Sequence, residues 1–223
     1  MKRTLLTTAP LLIGLLAGGS LEVHDHASWA GVERVKVRWD AGDITVRTHA
    51  LGVVTADKLG WGPEAPLAYS AHRDAEILVL ELRCSTPMPC GGDLDLAVPP
   101  GVTLEIDLGE GQASLDGQLG DSSVIVGTGS IVANGLTASE AVLQVVNGDI
   151  DAGWSSVPDR VVVATVTGDV ELRLPRADYA LEDQLGHSTM IGLRQVEGAE
   201  SRVQVTTVEG RAHIYGVRSI AAL

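Results

Sequence analysis

The chain has 223 residues, of which 45% are hydrophobic and 3% aromatic, and its formal net charge is −13. The apolar content is ample for a folded core and excludes a disordered chain. The negative charge argues against nucleic acid or an anionic lipid surface as a partner.

The N-terminus has the pattern of an export signal. Lys2 and Arg3 form a basic region, residues 5–16 form an apolar region, and residues 17–19 form a small-residue cleavage site. The apolar run is shorter than the ~20 residues that usually span a bilayer. We therefore predict a cleaved signal peptide over residues 1–19 rather than an uncleaved anchor.

The chain after the signal is predicted to form one domain. Residues 20–31 form a short leader, and residues 32–219 follow without a linker. No later segment is apolar enough to span a membrane, and Gly19 stands where a lipoprotein carries its lipidated cysteine. Residues 47–91 are rich in Gly, Pro and Ala near their middle, which predicts an irregular insertion.

Two cysteines lie within this irregular region. Cys84 and Cys90 enclose a proline-bearing loop between strand-like segments. In an exported chain this spacing predicts a local disulfide. A metal pair is the weaker alternative, because zinc normally takes four ligands and the chain has no further cysteine.

One short pattern recurs along the chain: alternating apolar residues, a tight turn, then two more alternating apolar residues. The turn residues are Gly42, standing apart, and then Gly92, Gly111, Gly129, Gly148, Gly168, Ser188 and Gly210. Gly186 is an alternative bend for the copy at Ser188. The spacing of the last seven lies between 18 and 22 residues, and such a period is typical of a solenoid.

The copy around Gly168 shows the pattern most clearly. Its inward positions are Val161, Val163, Thr165, Val170 and Leu172. Period-two alternation of β-branched and aliphatic residues predicts strands. We therefore predict an all-β, single-domain parallel β-solenoid, or β-helix, with rungs of roughly 18–22 residues. A β-sandwich is the alternative, but it does not require the same inward positions in every copy.

Outward positions after two neighbouring turns are acidic. In the predicted stack four carboxylates share one patch, with strands ~4.8 Å apart. They are Asp149, Asp151, Asp169 and Glu171. The patch is a candidate ligand-binding site, and a Ca²⁺ site is one reading of it, since calcium prefers oxygen ligands. The alternative is a solvated acidic face with aspartate at the turns for its local backbone hydrogen bond, so no cofactor is predicted.

The same carboxylates also allow a catalytic hypothesis. Asp149 with Glu171, or Asp151 with Asp169, would form the carboxylate pair of a polysaccharide-cleaving enzyme. No apolar pocket or flanking aromatic platform is evident, so catalysis is not favoured. His24-Asp25-His26 has ligand-like spacing within the leader, and we interpret it as incidental. No nucleophile-turn motif of the GxSxG kind is present.

The export signal, the turn sequences GDITV, GDIDA and GDVEL, and the segment DLDLAVPPGVTLEI occur together. This combination resembles a bacterial family of unknown function labelled "putative adhesin", which is related to the head domains of auto-transporter adhesins. The resemblance covers about residues 32–217. It implies a β-solenoid at the cell envelope and carries over no catalytic residues.

These observations predict an exported, non-catalytic binding or scaffold module of the periplasm, cell envelope or extracellular space. An extended polysaccharide or another protein would be its partner. The rival hypothesis is a β-helical carbohydrate-active enzyme that uses paired carboxylates.

Overall fold

The computed structural model describes residues 23–61, 68–84, 90–117 and 119–218. These residues form strands and turns without a helix, and the strands join into one open sheet of mixed pairing. The predicted all-β class is therefore confirmed. Within these ranges no helix is long and apolar enough to cross a membrane. The predicted signal peptide lies outside the described residues.

The described residues form eighteen strands. In chain order they are β1 Val23–Ala30, β2 Arg34–Ala41, β3 Ile44–Thr48, β4 Val53–Trp61, β5 Ala68–Asp74, β6 Ile77–Arg83, β7 Gly91–Val98, β8 Thr103–Asp116, β9 Ser122–Leu136, β10 Glu140–Asn147, β11 Ile150–Trp154, β12 Arg160–Thr167, β13 Val170–Pro175, β14 Asp178–Asp183, β15 Ser188–Ile191, β16 Arg194–Gln195, β17 Ser201–Glu209 and β18 Ala212–Val217. Most show alternating burial, as the period-two sequence pattern predicts.

The middle of the sheet consists of parallel strands in register, β8 to β13, which we call the central stack. β8 and β9 pair along most of their length. Beyond β9 the ladder divides, because β10 and then β12 continue its first half while β11 and then β13 continue its second half. The register builds columns of like side chains that extend into β17, such as Leu143, Val163 and Val205, each at most 1% exposed. These columns form one continuous apolar core.

The spatial order of the strands differs from their chain order at both ends of the stack. β2 and β3 lie between β8 on one side and β6 and β7 on the other. Likewise, β17 and β18 lie between β12 and β13 on one side and β14 and β15 on the other. Ser188 pairs with Ala212, two residues beyond Gly210, so Gly186 and not Ser188 is level with the other turns.

Antiparallel strands close one end of the sheet, which departs from the expected all-parallel pairing. β4 pairs with β7 and β1 pairs with β4, while β5 returns onto β6 through a turn at Ala75 and Glu76. Ala75 has a φ of 53°, the positive value that two-residue hairpin turns need. Short connections join antiparallel neighbours, whereas parallel neighbours need longer crossovers. These strands occupy much of the segment 47–91, and β1 lies within the segment assigned to the leader.

Polar contacts anchor the largest buried side chains. The Trp39 indole N–H donates a hydrogen bond to the backbone oxygen of Gly92, and the Tyr179 hydroxyl donates to the backbone oxygen of Pro175 at 2.8 Å. Both bonds satisfy a group whose burial would otherwise cost free energy. The predicted disulfide is also present: Cys84 and Cys90 are bonded, with Cα atoms 5.8 Å apart, and join the end of β6 to the start of β7.

Candidate binding face

A column of glycines forms the corner from which the candidate face begins. In spatial order they are Gly92, Gly42, Gly111, Gly129, Gly148, Gly168 and Gly210. All except Gly92 have φ between +121° and +150°, a region that side chains disfavour. A Cβ at Gly148 would lie 1.6 Å from the backbone oxygen of Gly129. The turns therefore need glycine both for conformation and for the close approach of stacked backbones.

The aspartates directly after these glycines bond to the neighbouring strand's backbone. Asp149 Oδ1 accepts the N–H of Asp169 at 2.7 Å, and Asp169 Oδ1 accepts the N–H of Arg211 at 2.8 Å. Asp43 accepts the N–H of Gln112 at 2.9 Å in the same way. Two of the four predicted patch residues, Asp149 and Asp169, thus act as hydrogen-bond acceptors for the corner. The recurrent Gly-Asp dipeptide carries this signal in the sequence.

The other two predicted patch residues lie side by side and share one arginine. Asp151 of β11 pairs in register with Glu171 of β13. Both terminal nitrogens of the Arg173 guanidinium, Nη1 and Nη2, donate to the Asp151 carboxylate, at 2.6 and 2.9 Å, and Nη2 also lies 2.8 Å from Glu171. The hydrogen bonds to Asp151 and the nearby carboxylate charges raise the pKa of Arg173, so its positive charge is secure.

Arg173 is not among the residues predicted for this patch, although the alternation of the strand places it there. Residues two apart on a strand share a face, and Arg173 follows Glu171 by two positions. The arginine separates two carboxylates that would otherwise repel each other in neighbouring strands. The cation between Asp151 and Glu171 is therefore supplied by the chain itself.

Two ring side chains extend this face on the next strand. His213 and Tyr215 of β18 pair in register with Glu171 and Arg173 of β13. Their rings are offset and nearly parallel, with centroids 6.2 Å apart and planes at 30°. Ile191 of β15, which is 47% exposed, continues the same row beyond Tyr215.

We call this surface the mixed face. It comprises Asp151, Glu171, Arg173, His213, Tyr215 and Ile191. Its charged end lies on β11 and β13, and its apolar end lies on β18 and β15. Tyr215 is more than 40 residues from Arg173 in the chain. The two meet only because β18 inserts beside β13, which no local pattern reveals.

His26 of the leader does not join this face. His26 Nδ1 lies 2.6 Å from Asp57 Oδ1 of the paired strand β4, and both side chains are about 60% exposed. Asp25 lies 3.8 Å from the ammonium of Lys58. Across the described ranges no group of three or more His, Cys, Asp and Glu side chains is arranged to hold a metal ion.

Solved structures resemble this fold. A "putative cell adhesion protein" from Clostridium sporogenes matches with a TM-score of 0.51 and 12% identity, over 87% of this chain and 99% of that one. A "putative adhesin" from Bacteroides fragilis matches with a TM-score of 0.41 and 11% identity, over 87% and 97% of the two chains. No protein-family model matches the chain, and no curated protein does. At 12% identity, the likeness to the Clostridium sporogenes protein shows a shared fold alone.

Proposed function

We propose that this chain is an exported, non-catalytic binding or scaffold module of the bacterial cell envelope, built as a parallel β-solenoid of 18–22-residue repeats. The in-register central stack carries the proposal. It presents outward side chains at ~4.8 Å from strand to strand and ~6.8 Å along each strand. Such a regular surface suits an extended partner. The name of the Clostridium sporogenes structure, a "putative cell adhesion protein", supports a role of this kind.

The contacts of the acidic residues favour binding over catalysis. Asp149 and Asp169 accept backbone N–H groups of the neighbouring strand, and Asp151 is held by both terminal guanidinium nitrogens of Arg173. A general acid or nucleophile must instead point its carboxylate at the scissile bond. Glu171 also contacts Arg173, at 2.8 Å, so all four carboxylates are engaged in holding the surface together.

The disulfide supports the proposed compartment, because such bonds persist outside the reducing cytosol. The test is expression of the full chain in a bacterium, followed by fractionation, N-terminal analysis and thiol alkylation. We expect the exported fraction to begin near residue 20, with both cysteines resistant to alkylation until reduced. Retention of the full chain in the cytosol with free thiols would overturn the proposed export.

A capture assay tests the proposed binding role. The chain without residues 1–19 is immobilised and exposed to bacterial envelope polysaccharides, and the eluate and supernatant are assayed for carbohydrate and for new reducing ends. We expect retention of polysaccharide without new reducing ends. Time-dependent release of reducing ends would establish the carbohydrate-active enzyme instead. A variant with Asp149, Asp151, Asp169 and Glu171 neutralised, checked for folding by circular dichroism, shows whether the patch takes part.

The calcium hypothesis has its own test. Because Arg173 already supplies positive charge between Asp151 and Glu171, we propose that the face works without Ca²⁺. Calorimetric titration of the folded chain with Ca²⁺ is expected to give no binding heat. A saturable heat that disappears in Asp151→Asn would reverse this conclusion.

A further inference from the structure

We infer that the mixed face is a binding site for a neutral polysaccharide, with one sugar ring seated on Tyr215 and its hydroxyl groups bonded to the Asp151–Glu171–Arg173 cluster. This inference rests on the proposed binding function and names the class of its ligand.

The layout of the face is amphipathic over a short distance. Gly153, Arg173, Tyr215 and Ile191 form one row across four strands, and Asp151, Glu171, His213 and Thr189 form the row beside it. Four neighbouring strands span ~14 Å, and the two rows are ~7 Å apart. A chain of two or three sugar rings fits this length.

The chemistry of each end matches one side of a sugar. A pyranose ring has an apolar C–H face, which packs against an aromatic ring, and Tyr215 is half-buried at a fixed place beside His213. The hydroxyl groups of the sugar both donate and accept hydrogen bonds. Carboxylate oxygens of Asp151 and Glu171 accept, while the guanidinium of Arg173 donates. Because both carboxylates already contact Arg173, the cluster is ordered before a ligand arrives.

Charge and size select the ligand class. The chain has a net charge of −13, and two carboxylates line the face, so a polyanionic glycan would be repelled. The face measures about 14 Å by 7 Å. A stable protein interface buries about 800 Å² on each partner, so these six side chains alone would form only a small part of one, whereas they match the length of two or three sugar rings. A neutral polysaccharide that repeats along an extended chain meets both conditions.

The experiment is affinity gel electrophoresis of the folded chain without residues 1–19 in gels containing one polysaccharide each. The probes are a neutral β-glucan, a neutral α-glucan and a neutral mannan, with alginate as the anionic comparison. We expect retardation by at least one neutral polymer and none by alginate. Tyr215→Ala should weaken that retardation about tenfold, as expected for an aromatic anchor at a binding site.

Matched variants separate the face from the rest of the surface. Tyr215→Phe keeps the ring and should bind within about twofold to threefold of the parent, because stacking needs no hydroxyl. Arg173→Gln should weaken binding about tenfold by removing the charged donor. Val208→Ala, at an exposed position before the Gly210 turn, should change nothing. Circular dichroism and thermal midpoints confirm that each variant is folded.

The outcomes distinguish this inference from the proposed function. If a neutral polymer retards the parent and Tyr215→Ala equally, binding takes place elsewhere, and the mixed face is refuted while the binding role stands. If only alginate retards the chain, the neutral ligand class is refuted. If neither these polymers nor envelope polysaccharides are retained, the proposed binding of polysaccharide fails together with this inference.

Discussion

The middle of the sheet and its two ends differ in how the edges of their strands are paired. Within the central stack every strand has a parallel neighbour on both sides, and like side chains lie in columns. At each end a charged side chain takes an inward position: Lys58, paired with Leu94, at one end and Asp183, paired with Val205, at the other. On β14 such an inward charge discourages a further strand from stacking on the exposed edge. β4 is instead covered by the antiparallel strand β1, and Lys58 lies between that edge strand and the core. The middle is therefore built for repetition and the ends for termination.

We call the end of the sheet that contains Lys58 the lysine end. Charged and aromatic side chains pack together there. Lys58 is 8% exposed, and its ammonium lies 3.4 Å from the centroid of the Tyr69 ring and 3.8 Å from Asp25. Tyr69 in turn packs edge-on against Trp39, with centroids 6.0 Å apart. Burial lowers the pKa of Lys58, and the charge of Asp25 opposes that shift. A cation over an aromatic ring thus covers the end of the apolar core.

The largest predicted effect comes from adding one methyl group to a corner glycine of the central stack. Gly148→Ala would place a Cβ 1.6 Å from the backbone oxygen of Gly129 at a φ of +138°, so neighbouring backbones must separate. We expect a loss of about 3 kcal/mol or more in the free energy of unfolding, measured by urea denaturation. Gly153→Ala is the control, because its nearest contacts are at 3.8 Å. Its expected cost is below about 1 kcal/mol. Equal costs for the two variants would contradict the stacked corner.

The next effect belongs to the lysine end. Replacing Cys84 and Cys90 by serine removes the bond between the end of β6 and the start of β7. The chain-entropy model gives a loss of about 2 kcal/mol for so small a loop. Urea denaturation of this variant, compared with the parent with and without reductant, checks the value. An unchanged parent after full reduction would show that the disulfide contributes no stability.

A third prediction concerns the end of the sheet that contains Asp183, where stability should depend on pH. Burial alone would raise the pKa of Asp183, but hydrogen bonds from the Ser188 hydroxyl and from the N–H groups of Ser188, Gly186 and Leu185 lower it to about 2. The folded state then binds fewer protons than the unfolded state. This stabilisation is complete above about pH 4 and is lost as the pH falls towards 2.

Asp183→Ala tests that signature. The expected cost is about 1 kcal/mol at pH 7, since the carboxylate accepts several hydrogen bonds in a partly exposed turn. The difference from the parent should vanish between pH 4 and pH 2 in urea titrations at each pH. The exposed neighbour Gln184→Ala should show neither the cost nor the pH dependence. A constant difference down to pH 2 would rule out the carboxylate as its source.

The smallest predicted effect concerns the contribution of the buried Lys58 ammonium to stability. Lys58→Met keeps the length of the side chain and removes the desolvated charge, so we expect stability to stay unchanged or rise by about 1 kcal/mol. With a lowered pKa in the fold, the parent should gain stability as the pH rises towards 10.5, and the variant should not. Thermal midpoints across this pH range measure both. A loss above about 2 kcal/mol would show that Lys58 contributes stability beyond its charge.

Several features followed from local sequence. Period-two alternation, as in β12, predicted strands because each residue of a strand faces the side opposite to its neighbours. The glycine turns followed from conformational need, as the positive φ at Gly148 and Gly168 shows. The disulfide followed from spacing and compartment. Asp149 and Asp169 stand out in the sequence as acidic residues at turns, and the structure shows that their carboxylates accept backbone N–H groups of the neighbouring strand.

The sequence by itself therefore determined the all-β class, the positions of the turns and the residues that face inward, since these depend on a few neighbouring residues. Only the tertiary structure decided which edges pair. β17 and β18 insert beside β12 and β13, and this places Tyr215 next to Arg173. Many strands have the same alternating pattern, so local sequence does not specify which two of them pair. The pairing depends on the packing of the whole chain. The mixed face is a product of that choice.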